Sequence, residues 1–216
     1  MTHALLDDPV DLEALRAAPL IRAPFDHLVV PGFVPPAVVA DVVAAFPGPD
    51  LPGVLPAPST PPPDAFGALL RRLRSPEVTR AFAQVFEVPL DPEALMITLR
   101  ARTRPVDGQI HTDSVTKVVT ALIYLNQDWS DPGGRLRLLR GPDDIDDMIA
   151  EVPPIAGTLL AFRRTDNSWH GHRPFDGVRR SIMLNWMTSP AVMRRELRRH
   201  ALSAGVKSFF RPRSVS

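Results

Sequence analysis

The sequence predicts a mainly β fold of the α+β class, a sandwich or jelly roll with a layer of helices against it. Short β-rich runs follow one another between residues 95 and 188, divided by turn sequences such as PGG at 132–134 and DG at 176–177. The part before residue 90 instead shows helical patterns that begin at prolines. A chain of 216 residues fits one domain, 1–216.

Residues 1–90 are predicted to form a helical lead-in. Helices are expected over 8–17, 37–46, 64–73 and 75–86, and a strand over 25–30. Ser75 followed by Pro76 combines a cap with a proline at the first helical position. Residues 47–63 contain eight prolines and predict a loop, which would suit a lid.

The β-rich part predicts a jelly-roll core over residues 95–188. Strands are expected over 96–102, 118–125, 136–139, 158–162 and 181–187. Ser189 and Pro190 then predict the start of a helix, which we place over 189–204. Residues 205–216 are predicted to be a tail.

Composition excludes several classes of function. The 25 basic and 24 acidic residues give a net charge of +1, too small a field to indicate nucleic acid. Cysteine is absent, so disulfides, thiolate metal sites and a cysteine nucleophile are excluded, and any metal must sit on His, Asp or Glu. No apolar run has the length of a membrane span, and residues 1–20 are acidic where a signal peptide would be apolar. We expect a cytoplasmic protein.

Residues 109–113 (QIHTD) contain the first candidate metal ligands. His111 and Asp113 lie two apart, so on an extended segment their side chains share one face and can bind one ion. So short a pair also arises by chance, with Asp113 as a turn residue and His111 as a half-buried strand residue. His170 follows 57 residues after Asp113. Two histidines and one carboxylate suit Fe(II) and leave coordination positions open.

The segments after this pair resemble the 2-oxoglutarate- and Fe(II)-dependent dioxygenases of the prolyl hydroxylase type. The resemblance rests on the order of QIHTD, KVVTALIYLNQDW at 117–129, GGRLRL at 133–138, and the runs 162–170 and 180–186. It covers about residues 95–188, and residues 1–90 resemble the family's helical lead-in only weakly. It implies a double-stranded β-helix, or cupin-like jelly roll, that uses Fe(II), 2-oxoglutarate and O₂. Hydroxylation of an unactivated C–H bond, with release of succinate and CO₂, is the implied reaction.

The resemblance also implies roles for individual residues. His111, Asp113 and His170 take the positions of the iron ligands, and Tyr124 takes that of the tyrosine that hydrogen-bonds 2-oxoglutarate. A buried tyrosine is otherwise an ordinary core residue. Because Asp113 is retained, oxygen insertion is favoured over halogenation, whose enzymes lack this carboxylate.

Two neighbouring arginines compete for the second contact to 2-oxoglutarate. Arg180 lies ten residues after His170 and six before Trp186, and we prefer it on that spacing. Arg179 lies two residues before Ser181, an arrangement that some relatives use. On a regular strand the other arginine would point to solvent.

The substrate is the least determined part of the prediction. We expect His172 to pack near the ligands or contact substrate, and Arg102, Arg135 and Trp186 to line the mouth together with Arg100. Such a lining would suit an anionic or amino-acid-like small molecule, although solvent-exposed strand arginines explain the same pattern. A peptidyl substrate is equally compatible, because substrate contacts lie on variable loops.

Two other classes of function fit the same residues. A non-catalytic cupin-like binding or scaffold protein would keep the fold without turning over 2-oxoglutarate. A zinc hydrolase would use the same three ligands without O₂.

Overall fold

The helices begin where the sequence supplies caps. The computed structural model describes residues 8–48 and 53–209, the last ten by their backbone alone. Its first four helices are α1 (Leu12–Ala17), α2 (Pro36–Ala45), α3 (Ala65–Leu73) and α4 (Pro76–Phe86). Asp11 and Asp64 each accept a hydrogen bond of 2.8 Å from the N–H three residues on, and Ser75 caps α4 ahead of Pro76. The four helices predicted in this region are confirmed.

Nine strands of the described residues form two antiparallel sheets. They are β1 (His27–Val30), β2 (Val54–Pro56), β3 (Leu95–Thr103), β4 (Lys117–Tyr124), β5 (Leu136–Leu139), β6 (Met148–Val152), β7 (Leu159–Arg163), β8 (His170–Gly171) and β9 (Gly177–Met187). The larger sheet has the order β1-β7-β4-β9-β3-β2 and the smaller β6-β5-β8. The predicted jelly-roll core with a helical layer is confirmed.

Several elements differ from the prediction, among them the two-residue strand β8, which was not predicted. Val54–Pro56, inside the predicted proline-rich loop, pairs with β3 at the edge of the larger sheet, where proline is tolerated; residues 49–52 of that loop lie outside the described residues. Strand β6 was not predicted, since its sequence MIAEV shows no alternation. The last helix, α5 (Pro190–Phe209), continues through Gly205. Residues 205–209 are therefore helical instead of belonging to a tail, and 210–216 lie outside the described residues.

The larger sheet has one face on the helices and one face on the smaller sheet. Ile182, Leu184 and Trp186 of β9 belong to the core shared with α3 and α4. Trp186 packs on Phe82, with ring centroids 4.6 Å apart, and donates a hydrogen bond of 3.1 Å to the Thr79 hydroxyl. The prediction that Trp186 contacts substrate is wrong, because this side chain lies in the helical core.

The opposite face of the larger sheet encloses the interior of the jelly roll. Its apolar side chains pack against those of the smaller sheet in a second core, which includes Leu122, Tyr124, Leu136, Leu138 and Phe162. Tyr124, one of the predicted site residues, lies in this interior.

No helix in the described parts of the chain has the length and apolar character needed to cross a membrane.

Candidate active site

The three predicted metal ligands lie together at the open end of the jelly roll. His111, between β3 and β4, forms an antiparallel bridge with His170 of β8, and each backbone N–H donates to the other's carbonyl at 3.0 Å. Asp113 follows two residues later, and one ligand atom from each side chain lies within 4.8 Å of the others. The topology thus brings together residues that are 57 positions apart in sequence.

Both imidazoles are held in the orientation that a metal requires. The Nδ1 atom of His111 lies 2.8 Å from the Gln109 carbonyl, and that of His170 lies 2.9 Å from the Ser168 carbonyl. A carbonyl only accepts, so each Nδ1 carries the proton and each Nε2 keeps a lone pair. Such contacts to the second ring nitrogen fix the tautomer of metal-bound histidines.

Asp113 is kept ionised although it is buried. Burial alone would raise its pKa, but the charge of Lys117 and the hydrogen bonds from Lys117 and Thr120 help to hold the pKa below its ordinary value. The Lys117 ammonium lies 2.6 Å from Oδ1, and the Thr120 hydroxyl donates to Oδ2 at 2.5 Å. Sequence reasoning missed both partners, which follow Asp113 by four and seven residues.

His170 is neutral at physiological pH. Burial lowers its pKa to about 4, against the opposing effect of Asp113. Its ring packs between those of His111 and Phe162, with centroids 4.3 and 4.7 Å away. A neutral, fixed imidazole beside an ionised carboxylate is the protonation state in which these groups bind a divalent ion.

A cavity of about 190 Å³ opens beside the three ligands. Besides the ligands, its walls are formed by Arg100, Gly108, Lys117, Thr120, Leu122, Leu136, Gly171, His172, Arg179 and Met183. The charged side chains in its walls are therefore the cations Arg100, Lys117 and Arg179 and the carboxylate Asp113.

The structure separates the two competing arginines. Arg179 is only 3% exposed and its side chain lies in the wall of the cavity. Arg180 instead lines a different, more open groove with Trp129 and Phe175. The preference for Arg180 is contradicted by this geometry, because the face that it shares with Ile182 and Leu184 is the one packed on the helices.

Alternation along β9 separates the two neighbouring arginines. Arg179 lines the cavity together with Met183, four residues on, whereas Arg180 is on the face of Ile182 and Leu184. A β-bulge lies at the same place: Arg100 of β3 pairs with Ser181 of β9 and Arg102 pairs with Val178, so β9 has one residue more than β3 between these pairs.

Tyr124 and Arg179 provide a buried binding position for an anion. The Arg179 guanidinium lies over the Tyr124 ring, with its carbon 5.3 Å from the ring centroid, and Nε donates to the Gly134 carbonyl at 2.6 Å. The Tyr124 hydroxyl and Arg179 Nη2 are both buried without a hydrogen-bond partner. Unpaired buried donors are costly, and a carboxylate would satisfy both. These residues fit the distal carboxylate of 2-oxoglutarate, as the three ligands fit Fe(II).

His172 lies in the same cavity but outside the group of three ligands. Burial lowers its pKa to about 4, so it is a neutral ring. Its Nδ1 lies 2.9 Å from the Arg173 carbonyl, and its ring covers Gly108. The ring therefore packs in the cavity wall near the candidate ligands, and contact with substrate stays a prediction.

Gly108→Ala is expected to destabilise the fold and displace His172. Gly108 has φ +83°, and an added Cβ would lie 2.3 Å from the nearest ring atom. Strain and crowding together should lower the free energy of unfolding by about 1–3 kcal/mol. Urea unfolding measures this loss, and Gly141→Ala, whose added Cβ meets nothing within 4 Å, serves as the control. An equal stability of the two variants would contradict the expectation.

The other predicted substrate contacts lie outside the cavity. The Arg102 side chain is 42% exposed and pairs with Asp176 at 2.8 Å. Arg135 pairs with Glu151 at 3.4 Å on the outer side of the smaller sheet. Neither arginine lines the cavity, and each is paired with a carboxylate, so their contact with substrate stays a prediction. Arg100, two residues before Arg102, does reach the cavity and pairs with Asp107 at 3.0 Å.

The comparisons with known proteins agree with the fold. Residues 101–188 match the sequence profile described as the 2OG-Fe(II) oxygenase superfamily. No match was found among the curated proteins.

Solved structures of prolyl hydroxylases and of a protein with 2-oxoglutarate bound share the fold at low sequence identity. A prolyl-4-hydroxylase from Pseudomonas putida is 19% identical, with a TM-score of 0.59 over 87% of this chain and 96% of that one. HygX from Streptomyces hygroscopicus, solved with nickel and 2-oxoglutarate bound, is 16% identical, with a TM-score of 0.54 over 74% of this chain and 81% of that one. The viral collagen prolyl hydroxylase of Paramecium Bursaria Chlorella virus-1 is 12% identical, with a TM-score of 0.50 over 76% and 96% of the two chains.

The profile covers the strands and loops that carry all three ligands, Tyr124 and Arg179. Enzymes of this superfamily use Fe(II), 2-oxoglutarate and O₂. This part of the chain therefore matches the 2-oxoglutarate- and Fe(II)-dependent oxygenase superfamily, and the chain shares the fold of a prolyl hydroxylase.

Proposed function

We propose that His111, Asp113 and His170 bind the Fe(II) of this oxygenase and that Arg179 and Tyr124 bind 2-oxoglutarate. The observation that supports this most directly is the pair of unsatisfied buried donors, the Tyr124 hydroxyl and Arg179 Nη2, in the same interior as the three ligands. A buried guanidinium without an anion is costly, because burial disfavours its charge and lowers its pKa. A bound carboxylate removes that cost.

The reaction that we propose is hydroxylation of an unactivated C–H bond. Bound iron, 2-oxoglutarate and O₂ together supply the oxidising chemistry, with release of succinate and CO₂. The protein contributes the positions of the ligands: two Nε2 lone pairs fixed by Nδ1 hydrogen bonds, and a carboxylate kept ionised by Lys117 and Thr120.

The interior excludes water from the anchoring end of the pocket. Tyr124, Leu138 and Phe162 are each fully buried there. Their burial strengthens the ion pair that Arg179 would make with a carboxylate, since less water screens it. The open side, where His111 is exposed, is then the side of substrate entry.

We infer that the substrate is a small molecule, an amino acid or a peptide, and the cytoplasmic location stays a prediction. The lid function of the 47–63 segment stays a prediction.

The proposed function is tested by the metal and oxygen dependence of 2-oxoglutarate conversion. With Fe(II) in air, succinate should form from 2-oxoglutarate, faster with a substrate than without. Zn²⁺ under anaerobic conditions should give no turnover. Binding of 2-oxoglutarate without any succinate over a broad substrate panel would indicate a non-catalytic cupin-like protein. Anaerobic activity with Zn²⁺ would indicate a hydrolase.

A further inference from the structure

The walls of the cavity carry more positive charge than iron binding and 2-oxoglutarate require. Arg100, Lys117 and Arg179 are cationic, and Asp113 is the carboxylate in the wall. Arg100 is neutralised from behind by Asp107, 3.0 Å away. Arg179 is assigned to the distal carboxylate of 2-oxoglutarate, so the charge of Lys117 is the one that remains to be explained.

Lys117 is held at the metal site by Asp113. Its Nζ lies 2.6 Å from Asp113 Oδ1, and its side chain is only 19% exposed. Among the ion pairs of the described residues, Asp113 is its single acidic partner. The carboxylate therefore stabilises a largely buried ammonium in the protein without metal.

A divalent ion at Asp113 changes this balance. The ion would bind the Asp113 carboxylate that now pairs with Lys117. Its double positive charge would also repel the Lys117 ammonium a few ångströms away. Lys117 would then be a largely buried cation whose counter-charge is shared with the metal. Such a group is favoured only if another anion supplies the missing charge. The two carboxylates of 2-oxoglutarate are already used by the metal and Arg179.

We propose that the substrate itself carries a carboxylate and that Lys117 binds it beside the metal. This rests on the proposed function, because it assumes metal at the three ligands and 2-oxoglutarate at Arg179. Asp113 would keep a hydrogen bond if Lys117 turned to the substrate, because the Thr120 hydroxyl donates to the other carboxylate oxygen at 2.5 Å. The substrate class is thus a free carboxylic acid, such as an amino acid or the end of a peptide, and not an internal peptide residue.

Calorimetric binding to the protein loaded with Mn²⁺ and 2-oxoglutarate tests this inference without turnover. The probes are matched acids and amides: L-proline and L-prolinamide, L-leucine and L-leucinamide, and N-acetyl-L-proline and its amide. At least one acid should bind about tenfold or more tightly than its amide, the effect of one charge-assisted pair. Lys117→Met should reduce that preference to within about threefold, and Lys117→Arg should restore it.

The controls separate this inference from the proposed function. Arg135→Met removes a cation outside the cavity and should keep the preference for the acid. Mn²⁺ and 2-oxoglutarate binding are measured first in the unchanged protein, where failure contradicts the proposed function, and then in each variant, so that acids and amides are compared on loaded protein. If both bind but no acid exceeds its amide, or Lys117→Met keeps the preference, the inference about Lys117 is overturned and the proposed function stands.

Discussion

His170→Ala is expected to abolish metal binding at the candidate site and the Fe(II)-dependent conversion of 2-oxoglutarate with it. The substitution removes one of three ligands, and the remaining pair, exposed His111 and buried Asp113, cannot enclose an ion. Loss of a ligand should exceed the tenfold to hundredfold effect of losing an outer-sphere partner, so we expect a metal affinity lower by about a hundredfold or more. Titration with Mn²⁺ and succinate release measure the two effects.

His172→Ala is the matched control for this prediction. His172 lies two residues away, is also a neutral buried imidazole and lines the same cavity, but it is outside the group of three ligands. Its variant should therefore bind Mn²⁺ as the unchanged protein does. Normal metal affinity in His170→Ala, or its loss in His172→Ala, would reassign the third ligand.

Arg179→Met is expected to weaken 2-oxoglutarate binding by about a hundredfold or more, whereas Arg180→Met leaves it unchanged. The first variant removes the guanidinium whose N–H groups would donate to a carboxylate of 2-oxoglutarate. Each such charge-assisted hydrogen bond contributes about 1.5–3 kcal/mol. In the second variant the lost side chain lies in the other groove. The Michaelis constant for 2-oxoglutarate, or its binding to the Mn²⁺ protein, is the measurement.

The stability of the same variant shows whether lost affinity is a folding defect. Without co-substrate, Arg179 is a buried cation with an unpaired Nη2. Replacing such a group by an apolar one of similar length is commonly neutral or stabilising. Arg179→Met should therefore unfold in urea at the same or a higher concentration than the unchanged protein. Equal 2-oxoglutarate affinity in the two arginine variants would contradict the assignment.

The sequence was sufficient for most of the elements and for the group of His111, Asp113 and His170 that the structure brings together. Helix caps such as Ser75 with Pro76 are local signals that the sequence shows directly. The three candidate ligands were identified from a His-x-Asp pair, a later histidine and the resemblance to a known family. The short strand β6 lacked such a signal, because MIAEV neither alternates nor carries strong β formers throughout.

The errors at the site have one physical origin: the sequence does not show which face of the sheet packs on the helices and which faces the cavity. Alternation shows that Arg180 and Trp186 share a face, but it does not show which face meets the helices. The bulge at Arg179 and Arg180 depends on the register between β3 and β9, which are far apart in the chain. Lys117 was missed for a related reason, since its contact with Asp113 depends on how the loop before β4 folds back.

The unequal exposure of the three candidate ligands affects how accessible a bound ion would be to solvent. Asp113 and His170 are buried and held by Thr120 and the Ser168 carbonyl, whereas His111 faces solvent. An ion bound here would therefore meet solvent on the side of His111, and a bound substrate that covers His111 would shield the ion from chelators.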